Sequence, residues 1–192
     1  MSFDQSLINE HQRQCTEMKK GLPDGPWMNE PDRIQWVSNG LDCLMIRQPS
    51  MGNWCGYVGV PKGHKLFGAD YNEAHDLAPI SVHGGLTYAD KCGHFICHDP
   101  NSGKHDDVWW FGFDCAHAYD LSPSMLKYRM ENPELKRLYE RSLARDPENA
   151  DVYRDEAYVK NEVENLARQL RIVGTSWLQK ILNRIGLRID YA

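Results

Sequence analysis

The sequence predicts an α+β fold, a mainly antiparallel sheet with one helix before it and several after it. Three observations carry this reading. Short strand-like segments separated by turn residues fill residues 27–122, an Asn39-Gly40 dipeptide sits between two of them, and after Pro123 helix formers and charges dominate. No internal repeat or low-complexity run interrupts the 192 residues, so we read a single domain, strand-rich over 27–122 and helical over 123–192. With 41% hydrophobic residues the chain can build a core without a disulfide or a structural metal.

The elements follow in order. Phe3, Leu7, Ile8, Cys15 and Met18 repeat near a helical period until Gly21 and Pro23 stop them, which predicts an amphipathic N-terminal helix. The segments 33–38 and 41–46 flank Asn39-Gly40, a dipeptide that tolerates two successive positive φ angles, and predict a hairpin. Residues 54–60 and 80–88 read as third and fourth strands. Val108-Trp-Trp-Phe-Gly-Phe-Asp-Cys115 is apolar on both faces, so it is expected mid-sheet. Pro133 and Pro147 should cut the stretch after Pro123 into short helices. Val152, Tyr158 or Val159, Val163, Leu166 and Leu170 then keep helical spacing up to Gly174, and Trp177, Ile181, Leu182 and Ile185 predict a short terminal helix.

Charge narrows the partners. Net charge is −5, with 9 Lys/Arg against 16 Asp/Glu in residues 1–125 and 13 against 11 in residues 126–192. Neither half is basic enough to hold a phosphate backbone by counterion release, which argues against duplex nucleic acid as the main partner and leaves a small phosphorylated ligand open. No stretch approaches the length of uncharged apolar chain that a membrane helix needs, and the first twenty residues are too polar for a secretion signal. We therefore expect a cytoplasmic protein whose six cysteines are thiols or ligands rather than disulfide halves. Oligomeric state is left open, a homo-oligomer included.

Seven of the eight histidines, at 64, 75, 83, 94, 98, 105 and 117, lie after Pro61 and before Leu121. Asp114-Cys-Ala-His117-Ala-Tyr-Asp120 is the sharpest group among them. It leaves the end of the aromatic strand with two carboxylates and an imidazole three residues apart, and His83 in Val82-His-Gly-Gly-Leu-Thr87 is the fourth candidate. Three uses of these residues stand side by side. Asp114, His117, Asp120 and His83 could ligate a divalent cation, zinc or manganese, whose bound water would be the nucleophile. Without metal, His83 and His117 could be the catalytic acid and base, one ring oriented by Asp114 or Asp120. Alternatively the carboxylates cap turns, His117 is an interior residue and the glycines form a bulge.

Gly84 and Gly85 remove side chains beside the imidazole and suit close approach of a ligand or of another backbone. His64 in a Gly- and Lys-rich turn is a candidate for an anionic group, and Trp54, Tyr57, Tyr88 and Trp110 for stacking a base or ribose. Cys115 beside His117 has apolar flanks that make it a poor nucleophile. Cys92, His94, Cys97 and His98 are spaced poorly for a zinc knuckle. Dinucleotide, phosphate-loop, zinc-protease, serine-hydrolase and CxxC signatures are absent, as are the paired His-x-Thr/Ser motifs of two-histidine phosphoesterases.

The blocks WCGYVGVPKGH (54–64), VHGGLTY (82–88) and DDVWWFGFDCAHAYD (106–120) together resemble a family of small proteins found in bacteriophages, prophages and bacteria. The resemblance covers about residues 27–122 and extends to YRDEAYVKNEV (153–163). It implies a cytosolic, virus-associated accessory protein and, with it, interference with a host nucleotide signal or host nucleic-acid metabolism. Two functions are thus expected: a small hydrolase acting on a phosphorylated or nucleotide-like molecule, or a non-catalytic protein that sequesters a nucleotide or inhibits a host protein.

Overall fold

The computed structural model describes residues 5–104 and 107–184, with side chains through Gly174. Phe3, His105, Asp106 and Ile185, and the side chains of Trp177, Ile181 and Leu182, lie outside the described residues. The α+β expectation holds. Helix α1 (Gln5–Lys19) precedes strands β1 (Arg33–Ser38), β2 (Leu41–Arg47) and β3 (Trp54–Pro61). Helix α2 (Tyr71–Leu77), strands β4 (Tyr88–Lys91) and β5 (Val108–Asp114), and helices α3 (Pro123–Glu131), α4 (Pro133–Arg145) and α5 (Glu156–Arg184) follow. Every strand pairing is antiparallel, in the order β1-β2-β3-β5-β4.

Asn39 and Gly40 take φ of 53° and 73°, which is the hairpin turn their sequence predicts between β1 and β2. β5 lies between β3 and β4, and both its faces are covered, as its apolar pattern requires. On one face Val58, Val60, Phe111 and Phe113 meet Val159, Val163, Leu166 and Leu170 of α5. Gly56 lets the helix cross here, because a Cβ on it would stand 2.5 Å from Val163 and 2.7 Å from Phe113. On the other face Leu44, Ile46, Cys55, Tyr57 and Trp110 are covered by Ile96, Phe95 and Tyr88.

Three expectations are corrected. The fourth strand is Tyr88–Lys91 rather than 80–88, because Gly84 and Gly85 both take positive φ, 65° and 86°, and leave the extended region. The segment before them bonds to α5 side chains instead: Ser81 N–H donates to Gln169 Oε1, and Gln169 Nε2 donates to the Ser81 carbonyl. The last helix begins at Glu156, with Val152 in a parallel bridge to Asp120, and it continues through Gly174 to Arg184. A Cβ on Gly174 would meet the His64 ring at 2.5 Å, so this glycine serves packing and not termination. Finally, Cys92 and Cys97 are joined by a disulfide, closing the loop that covers the second face, whereas Cys15, Cys43, Cys55 and Cys115 are buried thiols.

One buried cation ties the layers together. Arg47 is fully buried at the end of β2. It donates to Asp32, Glu30, the Gly52 carbonyl and the Tyr153 hydroxyl, and its guanidinium lies 4.4 Å over the Trp54 ring. The Arg47 carbonyl accepts from His11 Nε2 at 2.8 Å, which anchors α1. Among the described residues no helix is long and apolar enough to cross a membrane.

Candidate functional site

Asp114 ends β5, and the chain turns there: Ala116 N–H donates to Asp114 Oδ1 at 3.1 Å and Asp120 N–H to the His117 carbonyl at 3.0 Å. Tyr119 takes a φ of 70° in this turn. The bridge from Asp120 to Val152 then brings the start of α5 alongside. The Val82–Thr87 loop is laid on the same region by its helix contacts, His83 N–H donating to Glu162 Oε2 at 2.9 Å. Three segments far apart in sequence thus converge at the end of β5.

His83 lies at their junction. Its Nε2 is 2.7 Å from Asp120 Oδ2 and its Nδ1 is 3.0 Å from the Tyr158 hydroxyl. An ionised carboxylate only accepts, so Nε2 carries the proton in the neutral ring and the Tyr158 O–H donates to Nδ1. Asp120 is almost fully buried and accepts three hydrogen bonds in all. Burial pushes its carboxyl up, but hydrogen bonds from Arg154 Nε at 2.8 Å, from His83 and from the His117 backbone N–H outweigh that and hold it below the usual carboxylate range. The Arg154 guanidinium also lies 4.9 Å over the Tyr158 ring.

His117 stands beside this chain of bonds, its ring centroid 5.6 Å from that of His83. Its Nε2 is sealed from solvent without a hydrogen-bond partner and lies 3.9 Å from Asp114 Oδ1, in a side chain about one-third exposed. The ring is seated on Gly84, where a Cβ would fall 1.8 Å from Nε2. The close approach at Gly84 is thus made by an imidazole side chain, where a ligand or another backbone was expected, and Gly85 has none. Asp114 Oδ2 accepts from the Thr87 hydroxyl at 2.9 Å. The result is two imidazole–carboxylate couples side by side, a close one at 2.7 Å and a looser one at 3.9 Å.

His83, Asp114, His117, Asp120 and Gly84 are thus together, and the other sequence candidates are not. His64 follows Pro61, which pairs with Val108 at the opposite end of β5 from Asp114, roughly 20 Å away along the strand. Its Nε2 donates to the Leu170 carbonyl and its Nδ1 accepts from Leu66 N–H. Trp54 and Trp110 have no exposed surface and are core residues, Trp54 donating to Glu30 and Trp110 to Cys92 Sγ. Tyr88 packs edge-on against Tyr57 on the face away from α5. Gly85 faces open space. Burial pushes the Cys115 thiol well up, so it is no nucleophile at neutral pH. The Cys92–Cys97 bond removes two of the four sulfur and nitrogen donors of the knuckle-like segment. Among the described residues, no group of three or more His, Cys, Asp and Glu side chains is arranged to hold a metal ion.

Sequence reasoning missed Arg154, Tyr158 and Glu162. The signal was available: they recur every fourth residue, a polar stripe adjoining the apolar positions Val159, Val163 and Leu166. No family model matches the chain, and no match is found among curated proteins or solved structures.

Proposed function

We propose that this chain hydrolyses a small phosphorylated or nucleotide-like molecule by general acid–base catalysis at the two imidazole–carboxylate couples, as a phage-associated protein acting on a host nucleotide signal. The observation that supports it is the pair of rings 5.6 Å apart, one held by Asp120 at 2.7 Å and the other about one-third exposed. A base whose tautomer is fixed by a carboxylate, to take the proton of the attacking oxygen, and an acid, to protonate the leaving oxygen, are the two groups phosphoester hydrolysis needs, and each contributes typically 10²–10⁴-fold. Arg154 adds positive charge beside them for a phosphate, its Nη groups having no hydrogen-bond partner among the described residues. The metal form of the same reading, with Asp114, His117, Asp120 and His83 around zinc or manganese, would have to break the His83–Asp120 bond. The metal-free form uses that bond.

A second reading has an observation of its own. Both ring nitrogens of His83 are occupied and Asp120 is nearly sealed, as in a bonded knot that pins the Val82–Thr87 loop to α5. In that case the protein is a non-catalytic binder that sequesters a nucleotide or inhibits a host protein. One experiment separates these readings: folded protein is incubated with cyclic and linear nucleotides while thermal shift and product are both followed. Hydrolysis expects turnover that falls about 100-fold or more in His83→Ala and His117→Ala and is unchanged by a chelator. Turnover abolished by a chelator and restored by zinc or manganese selects the metal form, and binding without turnover selects the binder.

A further inference from the structure

We infer that Tyr158 is the nucleophile of this site and that phosphoryl transfer proceeds through a covalent phosphotyrosine. The inference rests on the hydrolytic reading above and deepens it. Asp120, His83 and Tyr158 form one line of hydrogen bonds, carboxylate to Nε2 at 2.7 Å and Nδ1 to hydroxyl at 3.0 Å. This is the arrangement in which a hydroxyl becomes a nucleophile: a base within hydrogen-bond reach, oriented by a third group that also stabilises the imidazolium once formed. Because His83 has no free nitrogen, a proton reaching it comes from Tyr158 and not from bulk water. Burial and the nearby Glu162 carboxylate raise the Tyr158 hydroxyl above its ordinary range, so it keeps its proton at rest and needs His83 in order to react. Tyr158 is half-buried, and the Arg154 guanidinium lies over its ring, 4.9 Å from the centroid, which brings a positive charge to the same side chain.

The step balances with the groups present. The Tyr158 oxygen bonds to phosphorus and its proton passes to His83 Nδ1. The bond to the leaving oxygen breaks, and that oxygen takes the electron pair and a proton from Nδ1 of His117, which enters the step as the imidazolium. Water then attacks the phosphotyrosine, giving a proton to the now neutral His117, while His83 returns its proton to the departing Tyr158 oxygen. Both imidazoles end as they began, and neither a redox partner nor a second substrate is required.

A fluorophosphonate probe tests this without knowledge of the substrate, because tyrosine attack on its phosphorus expels fluoride and leaves a stable adduct that peptide mass spectrometry maps. Tyr119 and Tyr128, 65% and 59% exposed, are internal references for unassisted tyrosines. Tyr158 is expected to label at least about tenfold faster than either in the wild-type chain, and to fall to their rate in His83→Gln and in Asp120→Asn. Labelling of Tyr158 no faster than that of Tyr128 in folded wild-type protein overturns the inference, whatever the variants do. Tyr158→Phe, which keeps the ring under Arg154, separates this inference from the reading beneath it. Nucleotide turnover retained in that variant removes the nucleophile and leaves hydrolysis standing. Fast labelling of Tyr158 without turnover of any nucleotide keeps the nucleophile and removes the substrate class.

Discussion

Gly84→Ala and Gly85→Ala form a matched pair in which one interaction differs. Both glycines take left-handed φ, 65° and 86°, so a side chain at either costs about 1–2 kcal/mol in backbone strain alone. Beyond that they part. A Cβ at position 85 meets nothing within 4 Å, whereas one at position 84 falls 1.8 Å from His117 Nε2 and 2.0 Å from Cδ2, so the imidazole must leave its seat. Forcing a side chain into occupied space adds about 1–3 kcal/mol. For a domain of this size about 1 kcal/mol moves the melting temperature by about 2–4 °C, so we expect Gly85→Ala to melt about 4 °C low and Gly84→Ala about 10 °C low. Thermal denaturation of both variants, repeated in a His117→Ala background, isolates the contact. If the ring is what position 84 must avoid, removing it returns the cost of Gly84→Ala to that of strain, a coupling of about 2 kcal/mol. Gly84→Ala and Gly85→Ala melting together, or costs that add within about 0.5 kcal/mol in the double variant, would refute the seating of His117 on Gly84.

Other outcomes follow from the same geometry. Arg47→Met leaves Asp32 and Glu30 without their buried cation and is expected to lower unfolding free energy in urea by about 3–5 kcal/mol, more than any surface Arg. Asp120 has a folded carboxyl held below its unfolded value of about 3.9, so its contribution is complete above that pH and is lost as pH falls through the lower folded value. Asp120→Asn should therefore cost stability at pH 7 and flatten the acid limb of the stability curve below about pH 4; an unchanged limb would show that Asp120 is not what protonates. Thiol titration in denaturant should count four cysteines without reductant and six after it, and reduction should alter Trp110 fluorescence, because Cys92 Sγ lies 3.3 Å from the indole nitrogen.

Much of the sheet was legible because strands β1, β2, β3 and β5 are specified by nearby residues. Asn39-Gly40 fixes a hairpin by its own φ preferences, and a strand apolar on both faces has to be interior. β4 slipped because the pattern Ile80-Ser-Val-His alternates like a strand, while the two glycines that follow leave the extended region and send the backbone hydrogen bonds to α5. Helix α2 has no place in the sequence expectations, although Asp70 and Glu73 spell a capping box, in which each side chain bonds the other's backbone N–H. Arg47 shows the opposite limit. A single arginine ending a strand has no pattern, and its partners come from the segment before β1, from the turn after β2 and from Tyr153, 106 residues away.

The site divides along the same line. Residues three apart after a strand announce a shared turn, and they do share one, but sharing a turn does not make side chains converge. Asp114 turns to Thr87 and Asp120 to His83 and Arg154, so the two carboxylates serve different imidazoles and do not enclose a common point. What the local spacing cannot show is the third wall. Tyr158 reaches His83 across 75 residues because Val163 and Leu166 of α5 pack on the sheet one and two turns further along, and Gly56 lets them in. The apolar stripe that buries α5 therefore also fixes how its neighbouring polar stripe is aimed. A change on the buried side, such as Gly56→Ala, should weaken the His83–Tyr158 hydrogen bond without touching either residue. In physical terms, the core residues under α5 hold the site in register.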